Sequence, residues 1–194
     1  TKRNLDFAED AEALFDAGFE HISIEPVVLE KGHPLAILEE DLPAIEKEYE
    51  RLMKNVYRRK KEGRPYNFFH FMIDLSGGPC LRKRLSGCGA GREYMAVTPE
   101  GDLYPCHQFV GRPAYRIGNL DDEQLDESVR DRFLDNHVGK KQACSQCWAQ
   151  YLCAGGCAAN AEAYSGSILS PNPQECRLLK KRTECALALM TLSD

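Results

Sequence analysis

Apolar positions recur at helical spacing near the start of the chain. Leu5, Ala8, Ala11, Leu14 and Phe15 share one face of "LDFAEDAEALFDAGF", and Gly18 supplies a stop. "HISIEPVV", residues 21–28, then reads as a buried strand that ends or bends at Pro26. A second helix is expected from about Leu42 to Glu62, with Leu42, Ile45, Tyr49, Leu52 and Val56 on its apolar face. Pro43 suits its first turn, while Gly63 and Pro65 close it. "NFFHFMIDL" follows as another strand. Strand, helix and strand in that order imply parallel pairing through a right-handed crossover. Two strands alone make no stable sheet, and the first helix has no strand before it. The expectation is therefore the C-terminal portion of a longer α/β protein.

Beyond Gly77-Gly78-Pro79 the texture changes to glycines, turns and short strands, and all nine cysteines lie after that point. The chain is expected to divide into 1–78, with terminal βα units, and 79–194, a small cysteine-rich domain with a β-hairpin and helices. The class is α+β/α/β. "EYMAVTPEGDLYPCHQ" reads as the hairpin, with Tyr94 to Thr98 pairing across "PEGD" to Leu103 and beyond, so that Cys106 falls opposite Tyr94. Tyr94 and Phe109 read as packing for it. An extended chain would hold Cys88 roughly 20 Å from Tyr94. "GCGAGR" must therefore curl back if Cys88 and Cys106 share a metal. "LDDEQLDESVRDRFLDNH" is expected to be a helix with Leu120, Leu125, Val129, Phe133 and Leu134 inward, and "AANAEAYSG" and "ECRLLKKRTECALALMTL" are expected to be helical.

Composition narrows the function. The chain has 194 residues, 43% of them apolar, which is enough for a sizeable core. No run reaches the roughly 18 apolar residues of a membrane span, and the start is unlike a signal peptide, so a cytoplasmic location without a membrane partner is expected. A formal charge of −5 argues against a nucleic-acid module. The basic run Arg58 to Lys61, with Arg64, reads as a solvated helix terminus favoured by the dipole. Nine cysteines in short, clustered spacings favour metal or iron-sulfur ligation over disulfides.

The ordered pattern is Cys88-x12-Gly-x4-Cys106, then Cys144-x2-Cys147-x5-Cys153-x3-Cys157, then Cys176. Seven thiols exceed the four ligands of one zinc ion. They suffice for two iron-sulfur cubes, and two zinc sites satisfy the same arithmetic. Cys185, on an apolar helix, reads as a small buried thiol. His107 reads equally as structural or as a hydrogen-bonding neighbour of a cluster. Glu25 ends a strand where α/β barrels place functional side chains, making it a candidate for substrate or cofactor contact. Trp148 is expected to shield a cluster from water. For His33, His70 and His137 no partner is visible in the sequence.

These spacings resemble the SPASM domain appended to radical S-adenosylmethionine enzymes, C-x(9–15)-G-x4-C, then C-x2-C-x5-C-x3-C, then C. Every interval here falls inside that pattern. "GCGAGREYMAVTPEGDLYPCHQFVG" is further similar to the maturases of SCIFF peptides, cysteine-rich precursors that receive thioether crosslinks. The resemblance is strong over about 87–176, and 1–78 is similar to the closing units of such an enzyme's partial barrel.

The resemblance implies two 4Fe-4S clusters. Cys144, Cys147, Cys153 and Cys176 would hold the one farther from the barrel; Cys88, Cys106 and Cys157 would hold the nearer one. The nearer cluster's fourth position is either Cys80 or an open iron. Implied partners are a cysteine-rich precursor peptide, the remainder of the barrel and a reductant such as ferredoxin or flavodoxin. The family's C-x3-C-x2-C triplet does not occur before Cys80. S-adenosylmethionine and a third 4Fe-4S cluster are thus expected only in the full-length enzyme, and this chain is expected to be inactive alone. Two alternatives stay open: a zinc-stabilised interaction module, or a SPASM domain serving sulfatase maturation or carbon-carbon crosslinking.

Overall fold

A computed structural model of the chain describes residues 1–30, 32–73, 75 and 81–192, with the side chains of 81–83 left aside. The expected boundary at Gly77-Gly78-Pro79 and the candidate ligand Cys80 lie outside the described residues. The elements in order are α1 (Phe7–Asp16), β1 (His21–Ile22), α2 (Leu42–Lys61), β2 (Asn67–Phe68), α3 (Leu81–Ser86), β3 (Ala96–Val97), β4 (Asp102–Tyr104), β5 (Gly118–Asn119), α4 (Glu127–Leu134), α5 (Gln150–Cys153), α6 (Ala158–Ser165) and α7 (Pro173–Thr191). They form two compact units, Thr1–Pro79 with Asn172–Asp194, and Cys80–Pro171. Helix α7, which the sequence boundary groups with 79–194, packs on α2 and completes the first unit.

In the first unit, α1 buries Phe7, Ala8, Ala11 and Phe15, while Leu14, expected inward, is partly exposed. The predicted stripe of α2 is buried from Leu42 to Val56, and α7 adds Leu178, Cys185 and Ala186 to the same core. Strands β1 and β2 pair in parallel, His21 with Asn67 and Ile22 with Phe68, in the order expected of a crossover. Both are far shorter than the runs suggested. After Phe68 the chain tightens into a 3-10 turn over Phe69–Phe71, which withdraws the backbone groups a longer ladder needs.

The basic end of α2 also departs from a purely solvated terminus. Arg59 is buried, donating to Glu12 at 3.0 Å and Asp16 at 2.9 Å, with its guanidinium over the Phe15 ring. Burial, seconded by the Glu12 charge, pushes the Tyr66 phenol well up. Between α2 and α7, Arg177 pairs with Glu46 at 2.6 Å and Lys181 with Glu50 at 2.5 Å.

The second unit holds a three-stranded antiparallel sheet, β3-β4-β5. The hairpin register pairs Ala96 with Tyr104 and Val97 with Leu103. Strand β5, unforeseen in the sequence, pairs Gly118 with Leu103 and Asn119 with Asp102. Phe109, Tyr115 and Phe133 form the aromatic core beside it, with Phe109 4.3 Å from Tyr115 and 5.4 Å from Phe133 between ring centroids. Gly91 (φ +70°) lies against this core: a Cβ there would sit 2.9 Å from Phe133 Cγ.

The helix expected from Leu120 is shorter. Asp126 caps it by accepting from Ser128 N at 2.9 Å, and Leu120 N instead donates to Gly101 O, extending the sheet edge. As a result Leu120, Leu125 and Leu134 are exposed, and only Val129 and Phe133 face inward.

Leu52, with 0% exposure at the centre of α2, is the test of the first core. Leu52→Ala is expected to destabilise the chain by about 2–5 kcal/mol in urea unfolding.

Candidate metal centre

Cys88, Cys106, Cys144, Cys147, Cys153, Cys157, Cys176 and Cys185 are thiols rather than disulfides. Three of them bear on one hydroxyl. Tyr94 Oη lies 3.9 Å from Cys88 Sγ. Burial raises the Tyr94 phenol's pKa, and the negative character of Cys88, then Cys106, then Cys157 adds to the rise. Burial likewise raises the Cys106 thiol, against hydrogen bonds from the Gln108 and Phe109 backbone and with a further push from Cys88. The curl needed to bring Cys88 back to the hairpin is made at Gly91. Its N–H donates to Tyr94 O at 3.1 Å and to Pro105 O at 2.9 Å.

Cys144 and Cys147 occupy a tight turn in which Cys147 N donates to Cys144 O at 3.0 Å. Burial raises the Cys144 thiol, the Lys141 charge draws it down, and Cys147 raises it. Cys153 is the last residue of α5. Ala154 (φ +57°), Gly155 (φ +90°) and Gly156 (φ +72°) then reverse the backbone, and Cys157 caps the start of α6. Lys141 Nζ donates to Gly155 O at 2.7 Å. Three left-handed residues, set between the end of one short helix and the start of the next, thus separate thiols only four positions apart. Cys176 lies in the first turn of α7, within the other unit.

Among the described residues no three His, Cys, Asp or Glu side chains converge closely enough to hold a single ion. The donor chemistry fits an iron-sulfur cluster: thiolates are its ligands, and four irons and their sulfides spread those ligands wider than one ion does. Within the second unit the thiols that could serve as such ligands are Cys88, Cys106, Cys144, Cys147, Cys153 and Cys157.

Other candidates fall variously. Cys185 is buried as expected, with burial raising its pKa to about 11. Trp148, expected as a shield, is 54% exposed. Tyr94, read as hairpin packing, instead directs its hydroxyl at Cys88, whereas Phe109 is fully buried. His107 begins a 3-10 turn after Cys106. His70 meets Glu25 with Nε2 2.5 Å from Oε1, and Arg182 Nη1 stands 3.4 Å from Oε2. Burial alone would raise the Glu25 carboxyl, but His70 and Arg182 together hold it below its ordinary value. His33 Nδ1 accepts from Leu35 N at 3.1 Å, and the His137 ring would meet a Cβ placed on Gly139.

Lys141 escaped sequence reasoning, since a polar Lys-Lys pair gives no signal; Tyr94, placed opposite Cys106 by the hairpin register, was read only as packing. A pocket of about 330 Å³ opens beside Tyr94, with Arg92, Glu93, Met95, Asp126, Glu127 and Arg130 among its walls.

A family model described as SPASM, an iron-sulfur cluster-binding domain, matches residues 88–148. The match lies wholly within the second unit. An uncharacterised protein of Archaeoglobus fulgidus is 31% identical over 117 residues, 59% of this chain and 28% of its own length. The mycofactocin maturase MftC of Mycobacterium ulcerans is 32% identical over 114 residues, 57% of this chain and 30% of its own. In fold, the chain matches anSMEcpe with bound AdoMet at a TM-score of 0.69 and 20% identity, covering 97% of this chain and 52% of that one. A second anSMEcpe structure, with bound AdoMet and Kp18Cys peptide, matches at 0.66 and 19%, covering 97% and 55%. The chain therefore spans less than a third of these curated relatives and about half of the solved structures. No helix among the described residues is long and apolar enough to cross a membrane.

Gly155 is the geometric test of the reversal between Cys153 and Cys157. Gly155→Ala forces a Cβ into a left-handed residue and is expected to cost about 1–2 kcal/mol in chemical unfolding, with Ala154→Gly neutral or stabilising.

Proposed function

We propose that this chain is the auxiliary-cluster portion of a radical S-adenosylmethionine peptide maturase that forms thioether crosslinks, and that it holds two 4Fe-4S clusters. What supports this is the Tyr94 hydroxyl 3.9 Å from Cys88 Sγ, with Cys106 and Cys157 acting on the same phenol, and the tight turn that carries Cys144 and Cys147. Support for a peptide substrate comes from MftC, a maturase, and from anSMEcpe, solved with a bound peptide. The "TPEGDLYPCHQFVG" run favours the thioether branch.

In the complete enzyme a 5′-deoxyadenosyl radical would take a hydrogen atom from a precursor residue. The precursor's cysteine thiolate would join the resulting carbon radical, forming the carbon-sulfur bond and releasing one electron. Bound clusters would supply a docking site for that thiolate and an acceptor for the electron. The chain's residues do the rest. Cys88, Cys106 and Cys157 leave the fourth position of their centre to Cys80 or to the incoming thiolate. Tyr94 holds a hydroxyl donor beside them, and its high pKa keeps that donor protonated at neutral pH. The adjoining pocket, with arginines and carboxylates on its walls, suits a polar peptide segment. Cytoplasmic reductants such as ferredoxin or flavodoxin would return electrons.

Two measurements test this. Anaerobically purified chain is expected to contain iron and acid-labile sulfide and to absorb near roughly 400 nm through sulfur-to-iron charge transfer; zinc without iron or sulfide would establish the zinc-stabilised module instead. In the complete protein, Cys88→Ala is expected to abolish crosslinking of the precursor, and undiminished crosslinking would refute the role given to the nearer cluster.

A further inference from the structure

Among the described residues Lys141 is the most deeply buried charged side chain, 2% exposed. Burying an ammonium is costly unless opposite charge and hydrogen bonds offset the loss of water, and an apolar side chain of the same length would fill the space with less penalty. Lys141 lies where such an offset would come from. Its carbonyl accepts from Cys144 N at 2.9 Å, so it opens the turn that presents Cys144. Its Nζ reaches the other way, to the Gly155 carbonyl inside the reversal between Cys153 and Cys157. A Cβ on Gly155 would stand 3.4 Å from both Lys141 Cδ and Nζ, so the side chain lies flush against that backbone.

We propose that Lys141 is a positioning residue for the cluster that includes Cys144. Its ammonium provides a fixed positive charge beside that thiolate set, and its hydrogen bond to Gly155 holds the reversal that directs Cys157 elsewhere. This role rests on the iron-sulfur function proposed above. Net charge and nearby hydrogen bonds set a cluster's potential, and a fixed cation stabilises the reduced, more negative state. Lys141 therefore raises the reduction potential of the centre that includes Cys144.

The test is a redox titration of the anaerobic chain, followed by electron paramagnetic resonance with iron and sulfide analysis, for wild type and for Lys141→Met, Lys141→Gln and Lys141→Arg. The Met and Gln variants are expected to keep iron and sulfide while one of two midpoint potentials moves lower; Arg is expected to match wild type. Should Met lose its metal, the Gln variant, which retains a donor for Gly155, decides. Loaded Met or Gln variants with both potentials unmoved would overturn the role of Lys141 while leaving the cluster function standing. Wild-type chain without iron or sulfide would overturn both.

Discussion

Three successive residues with positive φ, Ala154 to Gly156, are the constraint on which the site depends. They end one helix at Cys153 and let another begin at Cys157, so two thiols four positions apart in sequence leave the backbone in separate settings. The left-handed region carries a steric penalty for side chains, which is why two of the three positions are glycine. Lys141 ties the middle carbonyl to the turn of Cys144, and a rigid reversal results where a flexible loop would otherwise lie.

The hairpin answers to that reversal. Its short register, Ala96 with Tyr104 and Val97 with Leu103, extrapolates to Tyr94 beside Cys106. The bifurcated contact of Gly91 folds the preceding segment back onto it. Behind it, Phe133 closes against Gly91, Phe109 and Tyr115, so the chain that carries Cys88 rests on a packed core. Thiols from three distant parts of the sequence thereby act on a single phenol.

What could be read in advance follows the range of the forces involved. The helices α1, α2, α6 and α7 were legible because one apolar face or a glycine stop is a local signal. The hairpin was legible from "PEGD". Strands β1 and β2 were overestimated because apolar runs such as "NFFHFMIDL" do not disclose a 3-10 turn at Phe69. Leu120 and Leu125 were misplaced because the cap at Asp126 and the bond from Leu120 to Gly101 compete with the helical pattern. The clustering of the cysteines was visible in their spacing. Lys141 and the meeting of Glu25 with His70 and Arg182 were not, since each depends on residues that only the tertiary fold brings together.

The division of neighbouring thiols between two centres is the central claim, and comparing cluster signals in single-cysteine variants tests it most directly. Electron paramagnetic resonance of the reduced chain should show that Cys157→Ala alters the same signal as Cys88→Ala, while Cys153→Ala alters the signal affected by Cys144→Ala. A Cys157→Ala spectrum that instead matches Cys144→Ala, with the Cys88-dependent signal intact, would contradict the account.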